Sequence, residues 1–132
     1  MFVDDEPAVL AALAHQFQRY TDLKVYLELD GREVLRRLEQ NPVDLVVADF
    51  QMPGMNGLEL LDEVSRLYPD IRGAILSGHA EVRPMLRARQ GKPLPPFFSK
   101  PWNNRALRRA IRSLLHLSTP DDLEESPAQA AA

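Results

Sequence analysis

Hydrophobic and polar positions alternate between two periods along this chain, and the period predicts the elements. Met-Phe-Val at residues 1–3 reads as the end of a short buried strand. Residues 7–20 then place Leu10, Leu13, Phe17 and Tyr20 at helical spacing, with Pro7 at the helix start, where its missing N–H costs nothing. Lys-Val-Tyr-Leu-Glu-Leu at 24–29 alternates as a strand. Residues 30–41 form a short helix with Val34, Leu35 and Leu38 inward, stopped by Asn41-Pro42. Val-Asp-Leu-Val-Val-Ala-Asp at 43–49 is a nearly continuous apolar run, which suits a parallel strand covered on both faces.

A turn-rich loop, Phe-Gln-Met-Pro-Gly-Met-Asn-Gly, follows at 50–57, and helical period returns at 58–68 before Pro69. Residues 72–77 read as a strand and 81–90 as a helix, which tolerates Pro84 because it falls near the first turn. Residues 96–99 are a short strand. Residues 103–117 are a last helix with Leu107, Ile111, Leu114 and Leu115 inward. Strand and helix therefore alternate throughout, predicting an α/β fold: a parallel sheet with helices on both faces, joined by right-handed crossovers. The segment from 118 to 132 has too few large apolar residues to pack and reads as an acidic, unstructured tail or linker. The expected organisation is one domain over 1–117 and that tail.

Composition fits this picture: 132 residues, 45% hydrophobic and 27% charged, are enough for one core. The absence of cysteine excludes disulfides, thiolate metal sites and a cysteine nucleophile. No apolar run reaches eighteen residues, so no membrane partner and a cytoplasmic location are expected. The net charge is only −3, but its distribution is uneven. Arg83, Arg87, Arg89, Lys92, Lys100, Arg105, Arg108, Arg109 and Arg112 form a stretch without an acid, and the rest of the chain holds all 19 acids. Arg105, Arg108, Arg109 and Arg112 fall on one helical face, for which solvation is the default reading. With a pI of about 5.6 and no helix-turn-helix after it, nucleic-acid binding by this domain is disfavoured.

In parallel sheets of this kind the functional site lies at the carboxyl ends of the strands. The residues there are Asp4 and Asp5, Asp49, Ser77 and Lys100. Three carboxylates on one rim raise one another's pKa unless positive charge compensates them. Lys100 and a hard divalent cation would do so; Mg²⁺ fits best, since it takes carboxylate, carbonyl and water oxygens and commonly pairs with phosphate. Asp49 is then placed to attack phosphorus and form an aspartyl phosphate, helped by Ser77 and Lys100.

In order along the chain, Val-Asp-Asp-Glu-Pro (3–7), Val-Val-Ala-Asp-Phe-Gln-Met-Pro-Gly-Met-Asn-Gly (46–57), Ile-Leu-Ser-Gly-His-Ala (75–80) and Phe-Phe-Ser-Lys-Pro-Trp (97–102) resemble the response-regulator receiver domain of two-component signalling. The resemblance covers residues 1–117. It implies a doubly wound, flavodoxin-like sheet of five strands in order 2-1-3-4-5 with five helices. It also implies a signalling phosphoacceptor rather than an enzyme, phosphorylated by a sensor histidine kinase or phosphotransfer protein. Carried over, Asp49 is the phosphoacceptor; Asp5, Asp49 and the backbone carbonyl of Gln51 hold Mg²⁺, with Asp4 acting through water. Ser77, Lys100 and Phe97 are the phosphoryl-binding and switch residues, a cis peptide precedes Pro101, and Gln51 and His79 modulate the phosphoryl lifetime. The output face is helix four, strand five and helix five, here the basic one, for a downstream partner or effector domain. Three features depart from the family's pattern: a first strand of almost no length, Pro93, Pro95 and Pro96 at the end of helix four, and Gln51 with His79 at the modulating positions.

Taken singly, these residues have plainer readings. Asp4, Asp5 and Glu6 before Pro7 suit a helix N-terminus, Ser77 before Gly78 suits a turn, and Lys100 suits a solvated surface. His15 and His116 read as structural, and of Phe97 and Phe98 one should face the core. A Mg²⁺-dependent aspartyl-phosphate phosphohydrolase is the competing function, but it needs an acid two residues after the nucleophile, where this chain has Gln51. A flavin-binding flavodoxin would want hydroxyls, not acids, after strand one.

Overall fold

The computed structural model describes residues 1–78, 80 and 82–118. Along the chain run β1 (Phe2–Val3), α1 (Pro7–Phe17), β2 (Leu27–Glu28), α2 (Gly31–Leu38), β3 (Leu45–Asp49), α3 (Gly57–Leu67), β4 (Arg72–Ser77), α4 (Val82–Arg89), β5 (Phe97–Ser99) and α5 (Asn104–Leu114). The strands form one sheet in the order β2-β1-β3-β4-β5, all pairs parallel. This is the expected doubly wound α/β fold.

Side-chain alternation along the strands sorts the core into two layers. Val3, Val46, Ala48 and Ile75 pack on one face with Val34 and Leu38 of α2, Leu58, Leu61 and Val64 of α3, and Met85 of α4. Phe2, Leu45, Val47, Ala74 and Leu76 pack on the other with Leu10, Leu13 and Phe17 of α1 and Leu107 and Ile111 of α5. The apolar stripes read from helical period are thus the buried ones.

β2 is the main shortfall against the pattern, two residues instead of the six at 24–29. The cause is its partner: β1 is only Phe2–Val3, and it registers against Leu27 and Glu28 alone. A strand flanked on one side only is as long as the ladder its neighbour offers. At the same end, the buried amine of Met1 donates to the Leu45 carbonyl at 2.8 Å. Burial, opposed by the charge of Asp44 and assisted by Arg37, lowers its pKa to about 5. A cavity of about 590 Å³, lined in part by Tyr26, Val43 and Leu45, lies beside it at the end of the sheet away from the acidic rim.

α4 stops at Arg89, ahead of the proline-rich stretch. Gln90 and Gly91 turn through positive φ (49° and 85°), and Arg89 is held by Asp62 at 2.8 Å and the Pro93 carbonyl at 3.0 Å. The arginine face of α5 departs from the simple solvated reading. Arg112 is buried against the segment that follows α1: it makes a bidentate pair with Asp22 (2.9 and 2.7 Å), and its guanidinium lies 4.6 Å above the Tyr20 ring. Arg108 is buried too, with Nη1 3.5 Å from Gln16 Oε1. A long side chain can lay its stem on apolar surface and deliver its head to a partner on the next helix, which one-helix periodicity does not register. His15 bonds Gln18, and His116, beyond the end of α5, contacts Arg72, so neither is without a partner. Phe98 packs inward on the α1–α5 side and Phe97 is 40% exposed, as alternation requires.

Candidate functional site

Register alone brings the chemistry together. Val3 pairs with Ala48, so Asp4 leaves β1 beside Asp49 at the end of β3. Asp49 pairs with Leu76, one residue before Ser77, and Ser77 pairs with Ser99, one residue before Lys100. Because the strands are parallel, all four exits open on one rim. The Lys100 N–H extends the ladder by donating to the Ser77 carbonyl at 2.8 Å, and the Lys100–Pro101 peptide is cis.

Asp4 is 1% exposed and fully engaged: one carboxylate oxygen accepts the Glu6 N–H at 2.9 Å, the other the Lys100 Nζ at 2.8 Å. The same ammonium stands 3.2 Å from Asp49 Oδ1. Burial works against the charge of Lys100 and is the largest single influence on it. The hydrogen bond to Asp4 and the charges of Asp49 and Asp4 together outweigh it, so its pKa lies above the usual lysine value. Asp49 is 5% exposed, whereas Asp5 is exposed to the cleft. Carboxylate oxygens of Asp4, Asp5 and Asp49 all lie within 4.8 Å of one another. One ammonium thus contacts two of three clustered carboxylates, Asp4 and Asp49, and the oxygen-rich cluster is of the kind that suits a hard cation. Asp5, Glu6, Asp49, Gln51, Asn56 and Lys100 line an open cleft of about 680 Å³ at this point.

Ser77 is buried at the β4 exit, and Phe97 lies on β5 outside the lining of this cleft. Gln51 lines the cleft; His79 lies outside the described residues. Two supporting residues were not singled out from the sequence. Asn56 caps α3 in a reciprocal box with Glu59 (2.9 and 3.1 Å), a pairing that Asn-x-x-Glu before an apolar run signals. Gly57 sits so close to the end of β3 that a Cβ there would overlap the Asp49 carbonyl oxygen and stand 2.9 Å from Ile75 Cδ1. Alanine normally helps a helix, but here the obstacle is backbone. Gly57→Ala should therefore cost about 2 kcal/mol and displace Asp49; urea unfolding, with amide shifts of residues 48–51, checks both.

A parallel 2-1-3-4-5 sheet whose rim gathers three carboxylates and a lysine defines a flavodoxin-like fold with an acidic centre. Residues 1–112 match the response regulator receiver domain family, and the chain belongs to it. It is 32% identical over 120 residues to the transcriptional regulatory protein GlrR of Escherichia coli, covering 91% of this chain and 27% of that protein. To the response regulator MprA of a Mycobacterium species it is 29% identical, covering 97% of this chain and 55% of the relative. The chain thus spans about a quarter to about half of these relatives. Among solved structures, the signal receiver domain of an HD domain-containing protein from Pseudomonas fluorescens is similar with a TM-score of 0.78 and 25% identity, over 87% of this chain and 91% of that one. The receiver domain of NtrX from Brucella abortus gives 0.75 and 25%, over 89% and 98%. Among the described residues no helix is long and apolar enough to cross a membrane.

Proposed function

We propose that Asp49 accepts a phosphoryl group from the phosphohistidine of a sensor kinase or phosphotransfer protein, and that this changes the affinity of the α4-β5-α5 face for a downstream partner. The observation that carries the reading is Lys100 Nζ set between Asp4 and Asp49, 2.8 and 3.2 Å away, in an open acidic cleft. In the transfer, Asp49 Oδ forms a bond to phosphorus as the P–N bond to histidine breaks and its electron pair returns to the imidazole. The acceptor needs little more than positioning and charge neutralisation.

Asp5, Asp49 and the Gln51 carbonyl would hold Mg²⁺, with Asp4 linked through water, and the ion would neutralise phosphoryl charge. Asp4 is already occupied by Lys100 and the Glu6 N–H, which favours Asp5 as the direct ligand. Once phosphoryl oxygens arrive, Lys100 gains a stronger anionic partner than Asp49 alone and the Ser77 hydroxyl a new acceptor. Ser77 ends β4 ahead of α4 and Lys100 directly follows β5, three residues after Phe97, which supports Phe97 as the reporter of the switch. Gln51, an amide, cannot serve as the general acid of a phosphohydrolase, so slow loss of the phosphoryl group rather than turnover of a substrate is the reading favoured.

Incubation with Mg²⁺ and a small acyl phosphate should add one phosphoryl group, labile to base, mapped by mass spectrometry to Asp49. Chelation of Mg²⁺ should prevent it. Phosphate recovered on Ser77 would overturn the assignment.

A further inference from the structure

α4 is lightly fastened to the sheet. Among its described side chains only Met85 is fully buried; Leu86 is 53% exposed, and Arg83, Arg87 and Ala88 lie on the surface. A helix with so few buried apolar contacts opens at low cost. The neighbouring α3 is held firmly. Leu58, Leu60, Leu61 and Val64 are buried, and Gly57 at its start lies against the Asp49 carbonyl.

What ties the two helices together is Arg89, the last residue of α4. Its Nη1 donates to both carboxylate oxygens of Asp62 on α3, at 2.8 and 3.1 Å, and its Nε to the Pro93 carbonyl at 3.0 Å. The Lys92 N–H returns to the Arg89 carbonyl at 2.9 Å, closing a turn in which Gln90 and Gly91 take positive φ. One side chain therefore fixes the end of α4, its distance from α3, and the loop into β5, whose Pro96 carbonyl accepts the Ile75 N–H at 2.9 Å. The Arg89 side chain is 14% exposed, so the pair is partly shielded from water. Beside the same loop lies a cavity of about 310 Å³, lined by Asp62 and Arg89 together with Leu61, Leu94 and Pro95 among others. A thinly packed helix next to unfilled space has room to move once this tie opens.

We propose that the Asp62–Arg89 pair is a clamp that holds α4 and the loop into β5 in their present arrangement, and that its strength sets how readily the α4-β5-α5 face changes. The proposal rests on the reading of Asp49 as phosphoacceptor. α4 follows Ser77 and the phosphoryl rim at one end and meets the clamp at the other, so a pull at its first turn is opposed at its last. A contact made in only one of two arrangements biases the equilibrium by its own strength. Neither Asp62 nor Arg89 lines the acidic cleft; both act through the position of α4.

Asp62→Ala removes the clamp without endangering the fold, because Asp62 is exposed within α3 and alanine is the better helix former. In the untreated protein, hydrogen exchange of the amides of residues 86–89 should be roughly fivefold faster in the variant, the upper range for a partly exposed ion pair, with α3 and α5 unchanged. The amide shifts of Arg83 and Phe97 should also move part of the way toward the positions they take in the unsubstituted chain after treatment with Mg²⁺ and a small acyl phosphate. Exchange in α4 equal to that of the unsubstituted chain would overturn the clamp. So would shift changes confined to residues 61–63 and 88–94, or a Phe97 shift directed away from the phosphorylated position. Should the unsubstituted chain take up no phosphoryl group, the reading of Asp49 fails, while the exchange comparison still decides the clamp.

Discussion

Lys100→Ala should lose about 3 kcal/mol of stability without metal and yet bind Mg²⁺ roughly tenfold more tightly. The first figure follows from Asp4, which is 1% exposed and hands one carboxylate oxygen to Lys100; stranding a buried charge costs about 3–5 kcal/mol, and the open cleft favours the low end. The second follows from removing a positive charge several ångström from the carboxylates a cation would use, worth about 3 kcal/mol at an effective dielectric of 20 before water in the cleft weakens it. The pH dependence separates this from a packing defect. The folded pKa of Lys100 is raised, so its contribution is complete below the ordinary lysine pKa and is lost as pH rises through the higher folded value. The deficit of the variant should therefore stay constant through neutral pH and narrow only in strong alkali. Denaturant unfolding across pH, with Mg²⁺ titration by calorimetry, tests both parts. Equal Mg²⁺ affinity in the two proteins would mean that the cation does not sit among these acids. The variant should still take up some phosphoryl group, but the amide shifts around Phe97 should no longer respond to it.

Asp49→Asn should abolish phosphorylation altogether while leaving the fold intact. Asparagine matches the shape of aspartate but offers no carboxylate to attack phosphorus, so the loss is of chemistry, not packing. Stability should hold or rise by about 1 kcal/mol, because one of three crowded negative charges is gone and Lys100 keeps Asp4. Mg²⁺ affinity should fall, as it should in Asp5→Asn, each having lost a charged ligand. Intact-mass measurement after treatment with a small acyl phosphate, beside thermal unfolding, separates these outcomes. Residual phosphoryl uptake in Asp49→Asn would move the acceptor elsewhere.

Much of this site was legible before any coordinates. The apolar run of β3 ends on Asp49, the shorter runs end before Ser77 and Lys100, and parallel strands must open on a common rim. Which acid is buried was not legible. Asp4 and Asp5 are neighbours of one chemical type, and only the sheet turns Asp4 toward Lys100 and leaves Asp5 toward the cleft. Gly57 carried no signal either, because its constraint is the Asp49 carbonyl of another element.

From the sequence alone follow the element order, the parallel sheet and the residue types at its rim, since period and strand ends are local properties of the chain. The tertiary structure alone decided the length of β2, cut to the ladder that a two-residue β1 offers, and the burial of Arg108 and Arg112. It alone decided which of the three acids Lys100 touches directly, Asp4 and Asp49. The reason is common to all three: a pairing partner, a covering surface and a counter-charge are each supplied by residues distant in the chain, and no local pattern encodes them.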